Sequence, residues 1–487
     1  MSFLDQPFHS PTARLRVFPA MQSNNSLSRF LARSTRAFAA FALSAGVALG
    51  STGAAHAQRV PIVRDAEIEA LVRDYARPIL KAAGLANSNI GIVLVNDPAF
   101  NAFVAGRRMF INTGALMTAE TPNEIIGVIA HEAGHIAGGH QERLRDQLAR
   151  AQTMAIVAAL LGAGAMVAGA ASDTNGLGAA GAGIMTGGSE MARRSLLGYQ
   201  RSEEATADRS AITYLNATGQ SAQGMLKTFQ RFQSALSLSG ARVDPYQVSH
   251  PMPRERIANL ETLAQQSPNF GKTDSEALQL RHDMMRVKIA VYTQGQAAAS
   301  RLLRNNAGGL AARYGDAQAT YLFGDLRSAL SKTDALIKSQ PKNAYFHELR
   351  GDILMKSNKA AAAAESYATA VRLDPAKSGI LPIQLGQAYL AVGTPEALKK
   401  AVAEVRKGLD RDRENAAGYR YLAQAYGMLG DVADADLATA DGHYYSGAYQ
   451  DAKIFAMRAQ MKMPRGSPGW VRAQDIINYK APSKKKK

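Results

Sequence analysis

Residues 121–139 constrain the fold more than any other stretch, because both ends of one helix are written into them. Thr121-Pro122-Asn123-Glu124 reads as a capping box with proline at the first helical position, and Gly138-Gly139 ends the helix. Inside it lies His131-Glu132-Ala133-Gly134-His135. That order places two imidazoles one turn apart on one face, where they can share a metal ion. Glu132 stands beside His131 and three residues before His135, so its carboxylate can act on a water at the metal without being a ligand. It is the candidate general base. Zinc gives the arrangement a reason: held by three protein ligands it keeps an open position, polarises a carbonyl and lowers the pKa of water to about 7. Ala130, Ala133, Gly134 and Ala137 are small, which leaves room for a second helix and a substrate beside the ligands.

A third ligand is found in Arg201-Ser202-Glu203-Glu204-Ala205-Thr206-Ala207-Asp208, where Glu204 and Asp208 fall one helical turn apart. Like charges so placed repel in an isolated helix, and a cation beside them reverses the sign. Glu204 as zinc ligand, with Asp208 accepting a proton from a ligand imidazole, makes electrostatic sense. The chain has no cysteine, so the metal must be held by His, Asp or Glu, and neither disulfides nor a thiol nucleophile is available. A His2Glu set favours zinc, one ion per chain. His140, just past the glycine pair, reads as ordinary surface.

With 487 residues the chain is too long for one core, and two folded domains are expected. Its N-terminus is different in character. Arg29, Arg33 and Arg36 lead into the uncharged run 37–50 and then Ala55-His56-Ala57, the three-part pattern of a cleaved secretory signal. Removal after Ala57 places the protein in the periplasm, with Met21 as an alternative start. Gln58 stands where a lipoprotein needs cysteine. Of the formal net charge of +17, residues 1–57 hold +4 and Lys484–Lys487 another +4, which leaves +9 for the rest. That moderate excess comes with no stacking-aromatic or helix-turn-helix pattern, so nucleic acid is not an expected partner. A basic surface facing anionic lipid is the better reading.

Helical periodicity runs over 68–83, and Ile90, Ile92 and Leu94 alternate like one face of a strand. Ala102–Val104 and Arg108–Asn112 flank Gly106 as a hairpin. Met154–Ala171 is uncharged and rich in Ala and Gly, and with the Gly-rich stretch after it reads as a mobile or membrane-touching helical hairpin beside the active site. Further on, Pro341 and Pro375 lie 34 residues apart, and the unit ending at Pro375 has Gly351, Ala363, Tyr367 and Ala370 at the small and aromatic positions of a two-helix repeat. Looser units follow, with Leu385, Gly386 and Tyr389, Asp410 in the place of a proline, and then Leu422, Ala423, Tyr426 and Ala435.

On these residues, 312–463 resembles the tetratricopeptide repeat (TPR) family, whose stacked units form a groove that holds a partner peptide. The zinc helix followed about seventy residues later by Arg-x-x-Glu-x-x-Ala-Asp resembles the gluzincin metallopeptidases of the HtpX and CAAX-protease superfamily. With a signal and repeats added, the resemblance narrows to the periplasmic beta-barrel assembly-enhancing proteases. It implies His131, His135 and Glu204 as ligands, Glu132 as base and Asp208 in support. Ser249-His250-Pro251 resembles the family's His-Pro segment, so His250 would take the fourth zinc position at rest or donate to the oxyanion in turnover. Arg256 would stabilise the oxyanion or pair with an acid. Asn101-Ala102-Phe103 resembles the family's substrate-aligning edge strand, which pairs with extended, unfolded segments.

The expected fold is an α+β zincin-like catalytic domain, mostly helical with a small sheet, followed by an all-α TPR solenoid. The divisions are a signal peptide at 1–57, a zinc metallopeptidase domain at 58–265, a helical linker at 266–311, repeats at 312–463 and a basic tail at 464–487. The expected function is endopeptidase cleavage of unfolded or misassembled proteins. By resemblance the partners are outer-membrane proteins and their assembly machinery, held by the TPR groove, with peripheral membrane contact. The alternative is a chaperone or adaptor for outer-membrane protein assembly with a latent zinc site.

Overall fold

A computed structural model describes residues 61–171, 175–239, 250–251 and 254–481; the expected signal at 1–57, Ser249 and Lys484–Lys487 lie outside them. The described chain is mostly helical with one small sheet. Strand β1 (Ile62–Val63) leads into helix α1 (Ala66–Ala82), which starts where the Asp65 side chain accepts from the Ile68 amide at 2.9 Å. Strands β2 (Gly91–Val95), β3 (Ala102–Ala105) and β4 (Arg108–Asn112) complete a sheet ordered β1-β2-β4-β3. Only β2 and β4 run parallel; β3 and β4 form the expected hairpin, and β3 is an edge strand.

After the short α2 (Thr113–Thr118) comes α3 (Pro122–Gly138), with the bounds its sequence prescribes. Gly139, at φ 65°, takes the left-handed conformation that lets the helix end there. The capping box itself forms only in part. Thr121 makes no side-chain cap bond, and Glu124 Oε1 accepts instead from the Glu120 amide at 3.2 Å. Buried Glu124 pairs with Arg231 at 2.8 Å and Lys227 at 3.2 Å, a stronger pull on a carboxylate than one capping amide. Ile125, Ile129 and Ala133 of α3 join Leu94, Met109 and Ile111 of the sheet and Ile68, Leu71 and Ile79 of α1 in one core.

Helices α4 (His140–Ala171) and α5 (Asn175–Ala217) pack against each other as a long hairpin. Among the described residues, 140–166 is the one stretch long and apolar enough to cross a membrane by length and composition, and it is barely buried. Helices α6 (Gln223–Ser239) and α7 (Arg254–Gln265) close the core over α3 and α5.

The second half is helical. It comprises α8 (Glu276–Gln294), α9 (Gln296–Leu302), α10 (Leu310–Phe323), α11 (Leu326–Ser339), α12 (Ala344–Lys356), α13 (Ala360–Leu373), α14 (Ile380–Val392), α15 (Pro395–Arg411), α16 (Ala416–Leu429), α17 (Val432–Tyr445), α18 (Tyr449–Gln460) and α19 (Pro468–Asn478). From α10 on, each helix packs on the next. A Cβ on Gly351 would sit 2.6 Å from the Tyr367 ring, so the absence of a side chain on α12 is what admits that ring from α13. The Tyr367 hydroxyl then donates to Asp352 at 2.5 Å. Where the sequence has Asp410 in place of a proline, α15 continues to Arg411.

Several elements tie the halves together, helices α8 and α1 foremost. Helix α8, inside the stretch expected to link them, sends Met285 and Ile289 into the first core and Met284, Val287 and Val291 into the next. On α1, Ala66 and Ala70 pack with Tyr345, Ala370 and Leu381 of the later helices. Arg64 reaches Asp412 at 2.6 Å, and the buried Lys288 ammonium meets Asp65 at 2.8 Å and Glu67 at 3.1 Å.

Candidate metal centre and active site

Helix α3 presents His131 and His135 from one face, and α5 crosses it closely enough to bring Glu204 opposite them. The crossing depends on Gly134: a Cβ there would lie 2.9 Å from the Ala207 carbonyl oxygen. His131 Nε2 and His135 Nε2 are 3.0 Å apart, and each lies 3.3 Å from a Glu204 carboxylate oxygen. His250 completes the cluster, with Nδ1 3.1 Å from Glu204 Oε1 and 3.3 Å from His131 Nε2. One ligand atom from each of these four residues falls within 4.8 Å of the others, and all four residues are buried or nearly so. Electron-pair donors facing one another in such a space repel unless positive charge lies among them. Imidazoles with one carboxylate form a donor set that fits a divalent ion.

The electrostatics point the same way. Desolvation pulls the fully buried His131 ring down, yet Asp208 and Glu204 outweigh it and lift its pKa to about 9. Burial takes His135 to about 4. Glu204 is also desolvated, but contacts from His131, His135 and His250 hold its carboxyl well below the usual range. Arg256 balances one of the two carboxylates, Glu204 and Asp208, and a second positive charge is supplied either by a proton on His131 or by a metal ion. Glu132, 1% exposed, lies 3.3 Å from His250 Nε2, and burial raises its pKa toward the range useful to a general base.

Behind the cluster, His131 Nδ1 lies 2.9 Å from Asp208 Oδ1. Arg256 donates to Asp208 through Nε at 2.6 Å and Nη2 at 2.8 Å, and its Nη1 lies 2.8 Å from Glu204 Oε2. The guanidinium also covers the Phe229 ring, 5.0 Å from its centroid. Arg256 therefore pairs with acids, holding the acidic face of α5 in register with α3.

Asn101, Ala102 and Phe103 lie at and just before β3, which packs on α3. The Asn112 amide bonds the Asn101 carbonyl at 2.9 Å, so with strand alternation Ala102 and Val104 turn their peptide groups outward. The Gln141 side chain covers part of that edge, donating to the Val104 carbonyl and accepting from the Gly106 amide at 3.0 Å. Ala102 is 0% exposed, so its outward peptide group is buried rather than open to solvent.

His140 is not ordinary surface, as its sequence context suggested: it is 4% exposed, and its Nδ1 lies 2.8 Å from His135 Nδ1. Glu203 and Arg143, which carried no role in the sequence, stand behind it. One signal was available. Gly139 alone ends α3, so the second glycine, Gly138, must be small for another reason, and a Cβ there would lie 2.2 Å from the His140 ring.

Comparison with known proteins agrees with this chemistry. The model of peptidase family M48 matches residues 63–264, the span that holds every residue of the cluster. Over 416 residues the chain is 24% identical to the beta-barrel assembly-enhancing protease of Escherichia coli K12, covering 84% of this chain and 82% of that one. The protein of the same name from Yersinia pestis is 24% identical over 403 residues, 76% of this chain and 80% of its own. Metalloprotease YcaL of Escherichia coli K12 is 28% identical over 191 residues, 38% of this chain and 68% of its own.

Proposed function

We propose, from the premise that this chain is a metalloprotease with a peptidase family M48 domain, that it is a zinc endopeptidase of the periplasm acting on unfolded or misassembled proteins, among them outer-membrane β-barrels. The observation that carries the reading is the convergence of His131, His135, Glu204 and His250 on one point beside Glu132. His131, His135 and Glu204 would hold the ion. When bound, zinc supplies Lewis-acid polarisation of a scissile carbonyl and acidifies water.

The protein's own groups do the rest. Edge strand β3, paired on one side with β4, is the element that aligns an extended substrate segment, giving affinity with little sequence preference. Glu132 takes the proton of the attacking water and passes it to the leaving amine. Asp208 fixes the His131 ring through Nδ1, and Arg256 holds Asp208 and Glu204 in place. His250 points into the same space as the ligands, which supports a resting state in which it fills the fourth position and must leave before substrate enters. The helices of residues 312–463 serve as tetratricopeptide repeats that recruit a protein partner; the interlocking of Gly351 with Tyr367 supports that reading. The exposed apolar side chains of the α4/α5 hairpin support peripheral contact with a membrane.

The test is cleavage of an unfolded protein by the purified chain with zinc, beside its Glu132→Gln and His250→Ala variants. Loss of the base should lower the rate by about 10²–10⁴ with zinc still bound, and His250→Ala should cleave faster than the unaltered chain. Cleavage by Glu132→Gln at the normal rate would sink the assignment of the base. If neither the unaltered chain nor His250→Ala cleaves, an adaptor with a latent metal site becomes the better account.

A further inference from the structure

His131 and His135 receive different support. Behind His131 stands a carboxylate in direct contact, Asp208, itself clamped by Arg256. Among the described residues, no carboxylate meets the outer nitrogen of His135, whose inner nitrogen faces Glu204. Its outer nitrogen, Nδ1, lies instead 2.8 Å from Nδ1 of His140, with the two rings edge to face at 4.8 Å and 85°. On the far side of His140, Nε2 lies 2.8 Å from Glu203 Oε2, and the same oxygen takes Arg143 Nη2 at 2.7 Å. The two networks are parallel: carboxylate and arginine back one imidazole directly and the other through a second imidazole.

The chemistry fixes the protons along this chain. A neutral imidazole that offers Nε2 to a cation carries its proton on Nδ1, so His135 donates and His140 must accept at Nδ1. His140 then carries its own proton on Nε2, which faces the Glu203 carboxylate as an electrostatic contact at 2.8 Å. Consecutive acids on α5 divide the work, since residues adjacent on a helix point about 100° apart. Glu204 faces the metal position and Glu203 faces His140. The backbone is adapted to the ring as well, because a Cβ on Gly138 would lie 2.2 Å from His140 Nε2 and 2.4 Å from its Cδ2.

We propose that His140 and Glu203 are positioning residues for the metal ligand His135, setting its tautomer and ring orientation, with Gly138 providing the space for the His140 ring. The proposal rests on the metal reading above. Removing such an outer partner typically weakens metal binding by about 10–100-fold. The experiment is zinc titration of the metal-stripped full chain against a chromophoric chelator, with the visible spectrum of the cobalt-loaded protein as a second readout.

His140→Leu should weaken zinc by that factor and shift the cobalt bands while the metal-free protein melts as the unaltered one does. His140→Asn, whose side-chain oxygen can accept where Nδ1 did, should recover affinity to within about threefold. Wild-type affinity and an unchanged cobalt spectrum in His140→Leu overturn the proposal, and so does an Asn variant as weak as the Leu variant, since packing alone would then explain the loss. Should His140→Leu fail to fold, Glu203→Ala removes the fixed acceptor on a side chain 16% exposed, and retention of full zinc affinity there also overturns it. An unaltered chain that takes up no zinc defeats the metal reading itself, a result distinct from zinc bound equally well with and without His140.

Discussion

His282 on α8 has both ring nitrogens engaged in a buried place: the Tyr75 hydroxyl lies 3.0 Å from Nδ1 and the Ala119 carbonyl 2.9 Å from Nε2. A carbonyl only accepts, so Nε2 carries the proton and Nδ1 accepts from tyrosine. Burial lowers the pKa of this ring to about 4 from the ordinary 6.5. The sign follows: below pH 6.5 the unfolded chain binds a proton that the folded chain refuses until about pH 4. His282 therefore contributes stability above pH 6.5 that is lost as pH falls toward 4, roughly 3 kcal/mol at about 1.4 kcal/mol per unit. Urea unfolding at the two ends of that window should show the loss in the native chain, and His282→Gln should lack about that much of it. Equal pH dependence in both would remove His282 from the account. The residue scale is also where the sequence was least readable. Glu204 could be found because Asp208 follows it by one turn, but Glu203 reaches His140 from α5, and no local spacing reveals a contact between side chains so far apart in the chain.

Elements were legible where their limits are chemical. Pro122 and Gly139 bound α3, and Gly106 turns the β3–β4 hairpin, because proline, glycine and strand alternation act on their own neighbours. Glu124 shows the limit of such reading, since two cations on α6 drew it away from the capping role. The α4/α5 hairpin was expected from an uncharged, Ala- and Gly-rich run, and its outer surface now makes a prediction. Ile156, Leu160 and Leu161 are 60%, 69% and 62% exposed, a row that a water-facing helix gains nothing by keeping. Moving a leucine out of water is worth about 1.5–3 kcal/mol, so two of them shift a partition at least tenfold. The full chain should co-sediment with vesicles of anionic phospholipid, and Leu160→Glu with Leu161→Glu should reduce that at least tenfold without altering the melting temperature. Resistance of the unaltered chain to alkaline carbonate would instead indicate a helix that spans the bilayer.

At the scale of the whole molecule, the boundary between the two halves was placed by composition and repeat period, and neither shows which core a helix serves. Over residues 284–291 helix α8 is buried on most sides, with Met285 and Ile289 facing the metallopeptidase core and Met284, Val287, Ala290 and Val291 facing the next. A helix whose apolar residues face two cores, with Arg281, Asp283, Arg286 and Lys288 set among them, has no single apolar stripe and gives no periodic sign of having two partners. Its loss has a calculable consequence. Removing Met285 and Ile289 deletes two fully buried side chains, each worth about 2–5 kcal/mol, from a domain whose total stability is about 5–15 kcal/mol. The bonds of His282 to Tyr75 and Ala119 go with them. Residues 61–275 alone should therefore show no cooperative unfolding, although they contain every residue of the metal cluster. The full chain should unfold in one calorimetric transition, since α1 and α8 are shared. Two separated transitions, or a 61–275 fragment that melts cooperatively, would mean that the halves are stable bodies and that α8 only rests between them. One transition would mean that the helices of residues 312–463 belong to the same cooperative unit as His131, His135, Glu204 and His250.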